Sequence, residues 1–140
     1  MKKMSVIASK RAESKMEFLN TAHELELQTI RMTMRENAIP KRYRYVLGRP
    51  LTDSARALNQ YIIYANGIYP TKKEEYELRR NYQKRAVLEI QNMFEIMRIA
   101  TELLPIKNTV LEEWIKLATL EETLLRKWIQ ADRQRYKDLP

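Results

Sequence analysis

The stretch AVLEIQNMFEIMRIATELLP, residues 86–105, carries the clearest structural signal in this 140-residue chain. Its apolar residues recur in steps of four and three, at Ala86, Ile90, Met93, Met97, Ala100 and Leu104. This spacing places them on one face of an α-helix, the pattern of a helix-bundle core. Thr71 and Glu74 have the spacing of a capping box, and Pro105 cannot continue a helix. A helix is therefore predicted over residues 72–104.

An earlier helix is predicted between a capping box at Ser14 and Glu17 and about Asn37, where Pro40 stops it. Its apolar face is predicted to comprise Phe18, Ala22, Leu25, Leu27, Ile30 and Met34. Residues 1–12 lack a sustained apolar stripe. We expect them to form a basic N-terminal arm, either mobile or folded as an extra helical turn.

The next helix carries a stripe with steps of four and three, at Leu51, Ala55, Leu58, Ile62 and Ala65. It is predicted to end at Asn66-Gly67, where the glycine can take a left-handed conformation. Its start is open between two readings. Pro50 can occupy the first turn, or the helix can begin near Lys41 and kink between Gly48 and Pro50. We favour the earlier start.

The last helix is predicted to begin at a capping box of Thr109 and Glu112 and to fray after Arg135. Its stripe comprises Leu111, Trp114, Ala118, Leu125 and Trp128, widened by Leu117, Leu120 and Leu124. The chain holds only two glycines, which favours helices over sheets. Short connectors between four helices predict an all-α, up-down-up-down antiparallel four-helix bundle over residues 13–137.

Motifs that mark catalytic or metal sites are missing from the sequence. There is no cysteine, and His23 is the single histidine, which excludes thiolate zinc and Glu-x-x-His di-iron sites. The pairs Glu112-Glu113 and Glu121-Glu122 are interpreted as solvated helix faces. We therefore expect no cofactor and no catalysis. No apolar run approaches the about 20 residues of a membrane span, so a cytoplasmic protein without a membrane partner is expected.

The formal net charge is +8 with a pI near 9.7, and a charge of this sign favours polyanionic partners. The turn IPKRYRYVLGRP, residues 39–50, holds four cations, two tyrosines and no acid. An antiparallel bundle would also gather basic residues 1–17, 72–85 and 126–140 at one end. The predicted nucleic-acid-binding residues are Lys41, Arg42, Tyr43, Arg44, Arg49, Arg56, Lys72, Lys73, Arg79, Arg80, Lys84 and Arg85.

Two readings of the basic residues stay open at this point. Alternating Arg and Tyr in KRYRY can combine phosphate contacts with stacking on unpaired bases. Tyrosines near helix ends also commonly cover the rim of a core, with the hydroxyl in water. The alternative function is a helical interaction module that binds an acidic protein partner and has no role with nucleic acid.

The stretches IPKRYRYVLG, YANGIYPT and ELLPIK, residues 39–48, 64–71 and 102–107, follow the successive predicted helices. In that order they resemble the four-helix-bundle family of the accessory variability determinant of diversity-generating retroelements. That family is related to the bundle protein of ribosomal RNA intervening sequences. The resemblance implies a homopentamer that binds a reverse transcriptase and its template RNA, or other nucleic acid, and supports mutagenic copying without being an enzyme. Gly48-Arg49-Pro50 departs from the continuous second helix expected in such proteins.

Overall fold

The computed structural model describes residues 17–140 of the chain. Within this range the protein is all-α, with no β-strand. Its helices are α1 (Glu17–Thr33), α2 (Arg49–Asn66), α3 (Lys73–Leu103) and α4 (Asn108–Arg135). The predicted all-α class and the four helices are confirmed. The proposed N-terminal arm, residues 1–12, and the Ser14 end of the first capping box lie outside the described residues.

The core is built from the stripes of α2, α3 and α4 that the sequence predicts. Every residue of the predicted α2 and α3 stripes is buried, and so are Leu111, Trp114, Ala118 and Leu125 of α4. Trp128 is half-buried and packs against the same core. α3 is the longest helix, with 31 residues, and spans about 46 Å at 1.5 Å per residue.

The buried face of α1 differs from the prediction. Met34 lies beyond the end of the helix and is 61% exposed, and Leu27 and Ile30 are only half-buried. The buried residues of α1 are Thr21, Ala22, Leu25, Thr29, Met32 and Thr33. Threonines thus occupy positions that a search for apolar spacing passes over, because their hydroxyls can bond to the helix backbone.

The chain is helical from Lys41, as the favoured reading expected, but α2 itself begins at Arg49 with Pro50 in its first turn, as the other reading expected. A 3-10 turn (Lys41–Tyr43) is followed by a π-helical turn (Arg44–Gly48), closed by an Arg49 N–H bond to the Arg44 carbonyl. The wide turn precedes Pro50, which has no N–H to donate to an α-helical acceptor. Gly48 is buried, and a Cβ there would lie 3.4 Å from Cβ of Thr33.

Two predicted capping boxes are wrong, although the helix starts differ from the prediction by only one or two residues. Glu75, and not Glu74, accepts the backbone N–H groups of Thr71 and Lys72, at 3.0 and 3.1 Å, so that α3 begins at Lys73. These hydrogen bonds, with that from the Thr71 backbone foremost, lower the pKa of Glu75 below its ordinary value. α4 begins at Asn108, which places Thr109 inside the helix, and its N-cap residue makes no side-chain bond.

The end of α2 also differs from the prediction. Gly67 has φ −78° and ψ −9°, a right-handed conformation in place of the expected left-handed one. Its N–H still bonds to the carbonyls of Ile63 and Tyr64, at 3.0 and 3.2 Å. These bonds satisfy carbonyl groups in the last turn of the helix without a change of backbone handedness.

Side-chain contacts join each helix to two others. Asn59 of α2 donates to Glu26 of α1 at 3.1 Å, and Asn92 of α3 donates to Ser54 of α2 at 2.6 Å. Phe18 of α1 stacks on Trp128 of α4, with ring centroids 4.0 Å apart. The contact between α3 and α4 is an ion pair, which is described with the site below.

Among residues 17–140, two carboxyl groups lie in the core, both on α4. Glu121 and Asp132 are 0% exposed, so the interpretation of Glu121 as part of a solvated face is wrong. Glu121 falls on the apolar stripe, three residues after Ala118 and four before Leu125. Neither of its oxygens has a hydrogen-bond partner within residues 17–140. Burial raises the pKa of Glu121 to about 9, and the Glu17 carboxylate adds to the effect.

Candidate nucleic-acid interface

The cations of the basic turn are partly neutralised by neighbouring acids. The Arg44 guanidinium donates to the Met34 carbonyl at 3.1 Å and lies 3.6 Å from the Glu36 carboxylate. Arg49 lies 3.9 Å from the Asp53 carboxylate. Farther along α2, Arg56 lies 3.4 Å from the carboxylate of Glu26 on α1. Three of the predicted phosphate contacts therefore already face a carboxylate, which reduces the net charge of this end.

Two cations of the turn have no such partner. Lys41 and Arg42 are exposed, and within residues 17–140 neither charged group lies within 4.0 Å of a carboxylate, although the Lys41 backbone N–H bonds to Glu36 at 3.3 Å. The Arg42 guanidinium lies 5.1 Å from the centre of the Tyr43 ring. Tyr43 itself is half-buried and packs on the core. This favours the core-rim reading for Tyr43 over base stacking.

Arg79 requires a correction, because it lies inside the bundle. It is 4% exposed, and its Nε donates to the Asp132 carboxylate at 2.6 Å and its Nη2 at 3.1 Å. Nη1 donates to the Ile68 carbonyl at 2.9 Å. The guanidinium also lies over the rings of Trp128 and Tyr136, at 5.1 and 5.6 Å. With its donors engaged, Arg79 is unsuited to bind phosphate.

The other predicted cations of this end remain at the surface of α3 or at its start. Lys72 is the N-cap residue, Lys73, Lys84 and Arg85 are exposed, and Arg80 is half-buried. The ammonium or guanidinium group of none of the five lies within 4.0 Å of a carboxylate of residues 17–140, because the ion pairs in this range involve other cations; Lys72 bonds to Glu75 only through its backbone N–H. Their charge is therefore free to act on a polyanion.

The contacts between α3 and α4 bring further cations to Arg80. Tyr76 of α3 and Tyr136 of α4 lie 5.5 Å apart, so the faces that carry them adjoin. Residues three and four positions apart on a helix are neighbours on its surface. By this spacing Lys73 and Arg80 flank Tyr76, and Arg133 flanks Tyr136.

We call this surface the α3–α4 basic seam. It comprises Lys73, Arg80 and Lys84 of α3, with Arg133 and Lys137 at the end of α4. The backbone N–H of Lys73 also bonds to the Pro140 carbonyl at 3.0 Å, which holds the two segments together. Nε of Arg80 is buried and has no hydrogen-bond partner among the described residues. Arg133 and Lys137 are additions that the residue-by-residue prediction did not include, although the basic character of residues 126–140 pointed to them.

Two cations near the far end of α3 are paired. Arg98 lies 3.7 Å from Glu95 and 3.6 Å from Glu102, and Lys116 lies 3.1 Å from Glu112. Among residues 17–140, cations without an acid are therefore more numerous where α3 begins and α4 ends than in the basic turn, which holds Lys41 and Arg42. Unequal distribution of charge of this kind attracts polyanions to one surface.

A cluster of tyrosines lies on the other side of α3, against α2. The Tyr61 and Tyr82 rings are stacked with centroids 6.3 Å apart, and Tyr64 meets Tyr82 edge-on at 5.5 Å. Arg85 lies 5.9 Å from the centre of the Tyr61 ring. The sequence shows these tyrosines, but their grouping depends on which helices pack together.

No protein-family model, curated protein or solved structure matches the chain. In the described part of the chain, no helix has the length and hydropathy needed to cross a membrane. The same residues contain no group of three or more His, Cys, Asp or Glu side chains placed to hold a metal ion. The geometry of the basic seam therefore carries the functional argument.

Proposed function

We propose that the chain is a non-catalytic accessory protein that binds nucleic acid through the α3–α4 basic seam. The observation that carries the proposal is that, among residues 17–140, none of the five charged side-chain groups of the seam forms an ion pair within 4.0 Å. Cations held close together repel one another, and a phosphate backbone relieves that repulsion. Each neutralised phosphate also releases counterions, which favours binding.

The proposal includes the up-down-up-down antiparallel arrangement of the four helices. Its support comes from contacts between the first part of one helix and the last part of another. Phe18 near the start of α1 meets Trp128 near the end of α4. Tyr61 and Tyr64 near the end of α2 meet Tyr82 in the first half of α3. This arrangement brings the start of α3 and the end of α4 to the same end of the molecule.

The proposed partners follow from the resemblance described above. They are the reverse transcriptase of a diversity-generating retroelement and its template RNA, which the protein would help to copy mutagenically in the cytoplasm. The chain would act as a homo-oligomer, a pentamer by resemblance. Leu120 is exposed on α4 between the half-buried Leu117 and Leu124, so this helix keeps apolar surface for a second copy. Light scattering is expected to give several times the 16.8 kDa of the monomer, and a value of one monomer would exclude the oligomer.

The binding proposal is tested by fluorescence anisotropy with a labelled RNA of about 20 nucleotides. The seam variant is Arg80→Gln with Lys84→Gln and Arg133→Gln, and its affinity is expected to fall at least tenfold. The matched control removes charges that are already paired, with Arg98→Gln and Lys116→Gln, and is expected to keep the affinity. Surface changes of this kind shift stability by about half a kcal/mol or less each, so both variants should fold.

The same variants distinguish nucleic-acid binding from the alternative function, which is a module that binds an acidic protein partner. If the native protein binds no nucleic acid but retains an acidic protein from a nuclease-treated lysate, and the seam variant loses that partner, the acidic-partner module is favoured. If both variants bind RNA as the native protein does, the seam is not the binding surface.

A further inference from the structure

The tyrosine cluster consists of Tyr61, Tyr64 and Tyr82 with Arg85, and its members come from two helices. Tyr61 packs against the core and is half-buried, so it forms the base of the cluster. Tyr82 stacks on it and Tyr64 meets Tyr82 edge-on. Tyr64 is 50% exposed, so a large part of its side chain faces solvent. The rings are therefore held by packing while part of the cluster stays accessible.

Arg85 adds an unpaired charge to this aromatic surface. It is exposed, and within residues 17–140 it lies within 4.0 Å of no carboxylate. Its guanidinium lies over the Tyr61 ring at 5.9 Å. A guanidinium next to aromatic rings can stack on a base or bind a phosphate bidentately. The surface thus offers an aromatic platform and a cation of the sign that nucleic acid requires.

The cluster borders the α3–α4 basic seam. Lys84 of the seam and Arg85 of the cluster are consecutive residues, which point to different sides of α3. A helix with its side chains is about 10 Å across, so a chain crossing α3 can touch both surfaces. The seam holds phosphates of any nucleic acid. The aromatic rings of the cluster suit a part of the nucleic acid other than its phosphates.

We propose that the tyrosine cluster stacks an unpaired base, so that the ligand of the basic seam is single-stranded nucleic acid. Bases of a duplex are stacked on their neighbours and present only their edges, whereas unpaired bases can stack on aromatic side chains. Tyr64 and Tyr82 contact the base, and Arg85 contacts an adjacent phosphate. This inference rests on the proposed function and specifies the class of nucleic acid that the site takes.

The test compares a single-stranded oligouridine of 15 nucleotides with a 15-base-pair RNA duplex by fluorescence anisotropy. The native protein is expected to bind the single strand more tightly. Tyr64→Leu is expected to weaken single-strand binding about tenfold, which is within the usual contribution of one stacked base, and to leave duplex binding unchanged. Tyr64→Phe keeps the ring and is expected to bind as the native protein does. Tyr45→Leu removes a tyrosine that is more exposed than Tyr64 and lies outside the cluster, and it is expected to have no effect.

A second measurement reports stacking directly. A single 2-aminopurine in the oligonucleotide is expected to lose fluorescence on binding to the native protein and to Tyr64→Phe, and to lose less on binding to Tyr64→Leu. Circular dichroism and thermal unfolding confirm that each variant folds.

The possible failures differ from one another. If the native protein binds neither probe, the proposed function itself is wrong. If the seam variant loses affinity for both probes while Tyr64→Leu binds the single strand as the native protein does, the seam stands and the stacking inference is overturned. Equal native affinity for strand and duplex would overturn it as well.

Discussion

Arg79 of α3 and Asp132 of α4 form a doubly hydrogen-bonded ion pair inside the bundle, with distances of 2.6 and 3.1 Å. Gln83 donates to the same carboxylate at 2.7 Å. Arg79 also donates to the carbonyl of Ile68, which lies in the segment after α2. The network thus connects three segments of the chain. It also sets the register in which α3 and α4 present the basic seam.

Removing one partner of this pair should destabilise the protein strongly. Asp132→Ala leaves the Arg79 charge buried without its acid, which typically costs about 3–5 kcal/mol of unfolding free energy. The double variant Arg79→Met with Asp132→Leu removes both charges and is expected to recover most of that loss. Urea unfolding followed by circular dichroism measures both changes.

An exposed ion pair serves as the control for the buried one. Glu102→Ala removes a partner of Arg98 at the surface and should cost less than about 1 kcal/mol. A loss of similar size for Asp132→Ala would show that the internal pair does not hold the helices together.

The buried Glu121 carboxyl should make the stability depend on pH. Its pKa is raised from 4.5 to about 9, so the folded protein keeps a proton that the unfolded chain releases. The contribution of this proton to the free energy of unfolding is therefore fully present below pH 4.5, and it is lost as the pH rises towards 9. Between pH 5 and 8, the native protein should lose about 1.4 kcal/mol per pH unit relative to Glu121→Gln.

Urea unfolding at pH 5.5, 7 and 8.5 tests this dependence. The control is Glu113→Gln, an exposed carboxyl on the same helix, which should follow the native profile. If the native protein and Glu121→Gln have parallel pH profiles, the Glu121 carboxyl does not stay protonated in the fold.

The Thr29 hydroxyl should also stabilise the core. It donates to the Leu25 carbonyl at 2.6 Å and accepts from Nε1 of the buried Trp114 at 2.9 Å. Thr29→Val keeps the shape but leaves the indole N–H unpaired, which should cost about 1–3 kcal/mol in urea unfolding. Thr119→Val, at an exposed threonine with the same backbone bond, should change little. Equal effects for the two variants would mean that the indole hydrogen bond contributes nothing measurable.

The helices of the core could be predicted where apolar residues keep the helical spacing, as they do in α3 from Ala86 to Ala100, whereas the buried residues of its first part are Arg79 and Gln83. The prediction failed on α1, because Thr29 and other threonines fill buried positions while Met34 is exposed. It failed at Glu121 for a related reason. Its position on the α4 stripe indicates burial, whereas a glutamate side chain is usually exposed. In the structure Glu121 is buried.

The sequence shows which cations could bind a polyanion, but it does not show which of them lie on one surface. Charge counting treats Arg79 and Arg80 alike, although one is paired inside the bundle and the other is not. The partner of Arg79 lies 53 residues away, so local sequence gives no sign of the pair. The grouping of Arg80 with Arg133 depends in the same way on the register between two helices.

The most direct test of the central claim is the salt dependence of nucleic-acid binding. With five seam cations on a single strand, log Kd plotted against log salt concentration should have a slope of about 3 to 4. The variant lacking Arg80, Lys84 and Arg133 should lose about two units of that slope. A native slope near zero, or one that the variant shares, would contradict the claim that the α3–α4 basic seam binds the phosphate backbone.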